Sequence, residues 1–84
     1  MTEDEIRARV IEALASVAPD AAETEIEPGV KFRDQFDFDS MDSLNFAIAL
    51  SKAFSIDIPE REYARLASLD GCIAYLSARA EGRP

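Results

Sequence analysis

The residues best placed to do chemistry in this chain lie in one short stretch, residues 39–44, which read Asp-Ser-Met-Asp-Ser-Leu. Ser40 follows an acidic loop and precedes the most apolar helical run of the sequence, residues 41–50. A serine hydroxyl in this setting can cap the helix, act as a nucleophile, or anchor a covalently attached group. The rest of the sequence limits which of these uses is open to it.

The sequence offers no candidate base that would make Ser40 a catalytic nucleophile. The chain has no histidine, and no lysine lies close to Ser40 in sequence to act as its base. A calcium-binding loop beginning at Asp37 also fails, because its sixth position is Asp42 instead of Gly and its twelfth is Ile48 instead of Glu. Cys72 stands alone, so it forms neither an internal disulfide nor a cysteine zinc site. We therefore expect no enzyme and no metal site, with Cys72 packed inertly in the core.

Composition bounds the partners of the protein. With 84 residues, 48% of them hydrophobic, the chain predicts a single small domain spanning residues 1–84, with residues 82–84 as a frayed tail. Seventeen acidic and nine basic residues give a formal net charge of −8, which disfavours nucleic acid and anionic membranes and favours basic protein partners. Solubility alone would be the simpler explanation of that charge. No apolar run approaches the roughly 18 residues of a membrane span, and we expect a cytoplasmic monomer.

Two segments precede the stretch around Ser40. Thr2 and Glu5 have the spacing of a capping box and predict a helix over about residues 3–17, which ends before Pro19. Residues 18–39 show no sustained period, so we expect a long loop with room for one short helical turn. Four apolar residues are expected to anchor it: Val30, Phe32, Phe36 and Phe38.

Three further helices are predicted after the loop. The second helix covers about residues 40–54, and an extended link with Ile58 before Pro59 leads to a short third helix, residues 60–66. Ser68 is placed to cap a last helix, in which Gly71 costs roughly 1 kcal/mol relative to alanine. The pattern predicts an all-α fold, a small four-helix bundle with a long first loop and a short third helix.

The second helix has two apolar faces. Phe46, Leu50 and Phe54 form a broad stripe suited to the core. A second strip, called the apolar strip below, consists of Met41, Leu44 and Ile48. A helix that is apolar on most sides is usually buried on most sides, but a partly exposed strip beside Ser40 would suit a docking partner. The exposure of Met41 and Ile48 distinguishes the two interpretations.

Ser40 is one of two serines and one of two possible caps here. Asp39 is an equally good N-cap one residue earlier, which would leave Ser40 free. An anion attached to Ser40 would gain roughly 0.3–1 kcal/mol from the positive end of the helix. The carboxylates of Asp37, Asp39 and Asp42 would repel it. Ser43 is predicted to face the core stripe and to make a local hydrogen bond.

The sequence resembles an acyl carrier protein. The resemblance rests on residues 39–44, the apolar helix that follows, Phe54, and the turn Ile58-Pro59-Glu60. It is ordered and covers nearly the full length, from the capped first helix through the long loop to the last helix capped by Ser68. The motif itself is short, and its spacing to the later elements makes the resemblance fairly specific.

That resemblance implies a role for Ser40. The serine would receive 4′-phosphopantetheine from coenzyme A through a phosphopantetheinyl transferase that uses Mg²⁺. The thiol of this arm would hold acyl groups as thioesters and present them to acyl-loading and acyl-processing enzymes with basic docking surfaces. The carrier itself would catalyse nothing. By position, the family's docking residues correspond to Asp39, Met41, Asp42, Leu44 and Ile48.

The chain also departs from the family pattern. Phe36-Asp37 stands where Leu-Gly is common, and the second helix lacks the glutamates frequent in fatty-acid carriers; it has Asn45, Ser51, Lys52 and Ala53. These departures favour a dedicated carrier for a specialised acyl, polyketide or lipid pathway. Two alternatives stay open at this point. One is a peptidyl or aminoacyl carrier of a nonribosomal-peptide-type pathway, and the other is an unmodified acidic helical module that binds a protein.

Overall fold

The computed structural model describes residues 2–23 and 25–81, and across these two ranges every regular element is a helix. In chain order the elements are α1 (Glu3–Val17), the 3₁₀ helix η1 (Pro19–Glu23), α2 (Phe32–Gln35), α3 (Ser40–Phe54), the 3₁₀ helix η2 (Glu60–Leu66) and α4 (Leu69–Glu81). The predicted all-α bundle with a short third helix is confirmed, with η2 as that helix. None of the helices in the described ranges is long and apolar enough to cross a membrane. The tail predicted to fray, residues 82–84, lies outside the described residues.

The helix ends follow local hydrogen bonds that the sequence already indicated. The Thr2 hydroxyl accepts from the Glu5 N–H at 3.2 Å, and the Glu5 carboxylate accepts from the Thr2 N–H at 2.7 Å. These hydrogen bonds with Thr2 lower the pKa of the Glu5 carboxyl. At α4, the Ser68 hydroxyl accepts from the Gly71 N–H at 3.1 Å. Each bond satisfies a backbone donor that the first turn of a helix leaves without a partner.

Side chains from α1, α3 and α4 meet in one hydrophobic core. Its largest fully buried side chains are at most 1% exposed: Ile6, Val10, Leu14, Phe32, Phe46, Leu50, Cys72 and Leu76. Burying one of the larger apolar side chains contributes roughly 1.5–3 kcal/mol to folding. This core fixes one face of α3 and therefore determines which of its residues remain on the surface.

Cys72 lies inside this core, as predicted. It is fully buried, and its thiol lies 3.5 Å from the carbonyl oxygen of Leu66. Burial away from water raises the pKa of the thiol to about 12. At neutral pH the side chain is therefore a protonated thiol that packs as a small apolar group.

The connection between α1 and α3 contains more regular structure than the sequence predicted. It holds two short helical segments, η1 and α2, where we expected one helical turn. The side chain of Gln35 accepts from the Glu27 N–H at 2.8 Å and donates to the carbonyls of Glu27 and Val30 at 3.0 and 2.9 Å. The Phe32 N–H donates to the Ala67 carbonyl at 2.8 Å. The bonds of Gln35 span five to eight residues within the connection, and the bond from Phe32 reaches residue 67, so none of them follows a helical repeat.

The segment η2 is held against α4 by a polar network. The Tyr75 hydroxyl donates to the Glu62 carboxylate, and Arg79 donates to the Tyr75 hydroxyl at 2.7 Å and to the Asp57 carbonyl at 2.9 Å. Burial and the hydrogen bond to Glu62 raise the pKa of Tyr75. Gly71 allows close approach on the same side, because a Cβ there would lie 2.5 Å from the Arg65 carbonyl oxygen. The short helix is thereby fixed beside the start of α3.

Candidate functional site

The start of α3 is capped by Asp39, which leaves Ser40 free. The Asp39 carboxylate accepts from the Asp42 N–H at 2.9 Å, and the Asp42 carboxylate accepts from the Asp39 N–H at 3.3 Å. Ser40 is the first helical residue and is exposed. Across the described part of the chain, no hydrogen bond uses its hydroxyl. The capping role that competed with other uses of Ser40 therefore belongs to Asp39.

Four phenylalanines hold the loop that leads to Ser40. Phe32 lies at the centre and is fully buried. Ring centroids within the cluster lie 5.5–6.0 Å apart, mostly edge to face, and its members are Phe32, Phe36, Phe38 and Phe46. Such pairs contribute about 0.5–1.5 kcal/mol each beyond the burial of their area. The predicted anchoring by Phe32, Phe36 and Phe38 is confirmed. Phe36 is part of the support beneath the site.

The apolar strip lies on the surface beside Ser40. Met41 is 66% exposed, Leu44 42% and Ile48 43%. The alternative in which α3 is buried on most sides is therefore wrong. The exposure of Met41 and Ile48 agrees with the interpretation of a partly exposed strip beside Ser40.

A surface depression of about 390 Å³ lies on the other side of Ser40. The loop before α3, the first turn of α3, and η2 with the residue after it form its walls. It is lined by Lys31, Arg33, Phe38, Asp39, Ser40, Ser43, Tyr63, Ala64 and Ala67. The wall at residues 63–67 comes from a distant part of the sequence, and no sequence signal placed it next to Ser40. Lys31 and Arg33 are the neighbours of the buried Phe32 in sequence. The neighbours of a buried anchor residue are expected to face outward, and this is the signal that could have indicated them.

The structure corrects the prediction for Ser43. We expected its side chain to face the core stripe and to make a local hydrogen bond, but Ser43 is exposed and lines the depression. Among the described residues its hydroxyl has no hydrogen-bond partner. The physical reason is that the first turn of α3 extends past the core, which covers this side of the helix only from Phe46 onward. Ser43 is consequently a second accessible hydroxyl near the site.

The site presents an accessible hydroxyl at the edge of a depression that also contains charged side chains. The residues that line the depression include two cations and one carboxylate, and that carboxylate already accepts the capping hydrogen bond. The described ranges also contain no cluster of three or more histidine, cysteine, aspartate or glutamate residues that could hold a metal ion. An exposed, unpaired hydroxyl at a helix N-terminus can receive a phosphoryl group when a second protein supplies the base.

Comparison with known proteins identifies the family. The family described as "Phosphopantetheine attachment site" matches residues 8–76. An acyl carrier protein of Helicobacter hepaticus is 30% identical over 77 residues, which cover 92% of this chain and 95% of the relative. The chain belongs to the acyl carrier protein family. Another acyl carrier protein, from Campylobacter fetus subsp. fetus, is 34% identical over 73 residues, covering 87% of this chain and 88% of the relative.

One further relative carries a more specific name. The meromycolate extension acyl carrier protein of Mycobacterium bovis is 28% identical over 87 residues, covering 100% of this chain and 72% of the relative. Members of the family carry a covalently attached 4′-phosphopantetheine and are carriers, not enzymes. They work with a phosphopantetheinyl transferase and with acyl-processing enzymes in general. The exposed serine hydroxyl described above fits the attachment of that group.

Proposed function

We propose that Ser40 is the attachment site for 4′-phosphopantetheine in this carrier. The observation that carries the proposal is the reciprocal cap between Asp39 and Asp42, which satisfies the helix N-terminus without using the Ser40 hydroxyl. A phosphodiester on the first residue of the 15-residue helix α3 would lie at its positive end, where anions are stabilised.

In the proposed attachment, Ser40 acts as the nucleophile. Its oxygen forms the new bond to phosphorus, the phosphoanhydride bond of coenzyme A breaks, adenosine 3′,5′-bisphosphate leaves, and the hydroxyl proton passes to a base. In this proposal the transferase supplies that base. When bound, the arm supplies a terminal thiol on which acyl groups are carried as thioesters.

The proposed docking surface is the apolar strip with the two capping carboxylates. Exposed Met41, Leu44 and Ile48 give a partner apolar area to bury, and Asp39 and Asp42 lie at the end of the strip next to Ser40. Basic partner enzymes would be attracted by the net charge of −8, mainly through a faster association rate. The same charge keeps copies of the carrier apart, which supports a monomer working with cytoplasmic enzymes.

For the pathway, we propose a dedicated carrier in specialised acyl, polyketide or lipid biosynthesis. Phe36-Asp37 before the motif and the sparse acidic residues of α3 support a partner set different from that of housekeeping fatty-acid synthesis. The relatives described above are named acyl carrier proteins, which supports an acyl cargo over a peptidyl or aminoacyl one.

Intact-mass measurement tests the attachment directly. The protein is incubated with coenzyme A, Mg²⁺ and a phosphopantetheinyl transferase of broad specificity. We expect the wild type and Ser43→Ala to gain the mass of one arm and Ser40→Ala to gain none. Ser43 is the matched control because it is the neighbouring exposed hydroxyl in the same depression. Modification that persists in Ser40→Ala but disappears in Ser43→Ala would move the site to Ser43.

A further inference from the structure

Two positively charged side chains lie near Ser40, in a protein whose net charge is −8. Lys31 and Arg33 are exposed and line the same depression as Ser40. Among the described residues the ion pair present is that between Arg79 and Glu62, so neither Lys31 nor Arg33 has its charge matched by a carboxylate. Of nine basic residues in the chain, two therefore lie free at the one place where an anion is proposed to be attached.

We propose that Lys31 and Arg33 bind the phosphodiester on Ser40 and direct the arm into the depression. This inference rests on the proposed attachment at Ser40. Phosphorus is bonded directly to the serine oxygen, so the phosphate charge is always at the edge of the depression, wherever the rest of the arm lies. An arginine guanidinium can pair with two phosphate oxygens at once, and a lysine ammonium adds a compact positive charge.

From its position on α3, Ser40 could direct the arm toward either of two surfaces. At about 100° per residue, Ser43 lies about 60° to one side of Ser40 and Leu44 about 40° to the other. The Ser43 side is the depression, and the Leu44 side is the exposed apolar strip. Both surfaces offer apolar contacts. The two cations lie on the depression side only, and they decide between the two directions.

The neighbouring carboxylates repel the phosphate, and the two cations offset part of this repulsion. Asp39 and Asp42 each accept a backbone N–H in the cap, so both are held in fixed positions at the helix terminus. Across the depression the wall contains small side chains and one aromatic ring, from Ala64, Ala67 and Tyr63. An arm lying over this wall leaves the apolar strip free for a partner enzyme, which then has to draw the arm out.

NMR of the modified protein tests the inference. Lys31→Gln/Arg33→Gln removes both charges, and Arg7→Gln/Arg9→Gln on exposed positions of α1 removes the same number elsewhere. Intact mass first establishes that each variant carries the arm. In the wild type we expect the Arg33 side-chain N–H resonance to shift on modification and the arm methyls to show contacts with the methyls of Ala64 and Ala67.

The contacts with the alanine methyls should weaken at least threefold in Lys31→Gln/Arg33→Gln and stay unchanged in the α1 control. They should also weaken in 1 M salt, where the screening length falls to about 3 Å. If the wild type is modified but the contacts survive loss of both cations, or run instead to Met41 and Ile48, the inference is wrong and the attachment at Ser40 stands. If the wild type is not modified at all, both proposals are overturned.

Discussion

The two apolar faces of α3 have similar side chains and opposite environments. Phe46 and Leu50 are at most 1% exposed, whereas Met41 and Ile48 on the same helix are 66% and 43% exposed. Hydrophobicity alone does not separate the two groups. The difference lies in what packs against each face, since α1 packs against α3 and buries one face, while the side chains of the other face are left exposed in the described structure. One face therefore contributes to stability, and the other is exposed, as the proposed docking surface requires.

The largest effect on stability should come from truncating a side chain on the buried face of α3. Phe46→Ala removes a ring that is 1% exposed and that contacts Phe32 and Phe38. We expect a loss of about 3–5 kcal/mol in the free energy of unfolding, because the cavity left behind can collapse only in part. Urea denaturation followed by circular dichroism measures it. A loss below about 1 kcal/mol would mean that this face is not the core.

The next largest effect on stability should come from Phe38, in the loop between α2 and Ser40. Phe38 is half-buried and its ring contacts those of Phe32, Phe36 and Phe46. Phe38→Ala should reduce the free energy of unfolding by about 1–3 kcal/mol, from the lost ring contacts. It should also slow modification of Ser40 by loosening the approach to α3. Unfolding by urea and the rate of mass gain are the two measurements, and a stability loss as large as that of Phe46→Ala would contradict this ranking.

A smaller effect is expected at the helix cap. Asp39→Ala removes the side chain that accepts from the Asp42 N–H and should cost about 0.5–2 kcal/mol. Ser40→Ala is the matched control, and it should change the free energy of unfolding by less than about 0.5 kcal/mol because its hydroxyl is exposed and unused within the described structure. Thermal or urea unfolding of the two unmodified variants compares them. Equal losses would show that Ser40 shares the capping role.

The smallest stability change should come from the exposed face. Ile48→Ala should alter the free energy of unfolding by less than about 1 kcal/mol, because the side chain already faces water. It should nevertheless raise the KM of the phosphopantetheinyl transferase for the unmodified carrier at least threefold, while Glu12→Ala, at an exposed position on α1, should not. An unchanged KM in both Ile48→Ala and Met41→Ala would remove the apolar strip from the proposed docking surface.

Most of the helices could be predicted from the sequence because their signals are local. The capping residues Thr2 and Ser68 and the spacing of apolar residues place α1, α3 and α4 at the expected positions, and Pro59 precedes η2 as expected. The same local signals identified Asp39 as an alternative cap, which the structure confirms. Ser40 could be singled out as a candidate because it lies in the stretch 39–44, at the predicted start of the most apolar helix.

The connection and the depression could not be predicted in the same way. The hydrogen bonds of Gln35 span five to eight residues without a helical repeat, and the bond from the Phe32 N–H to the Ala67 carbonyl joins two segments distant in sequence. Ser43 was misplaced for a related reason, because a helical wheel treats the whole length of α3 alike while the core covers only part of it.

The sequence by itself determined the helical class, the capped start of α3, the acidic charge and the resemblance that pointed to a carrier. Each of these depends on residues within a few positions of one another or on composition. Only the tertiary structure decided that the apolar strip is exposed, that Ser43 faces outward, and that Lys31 and Arg33 share a depression with Ser40. Those outcomes depend on which elements pack together, and long-range packing fixes them.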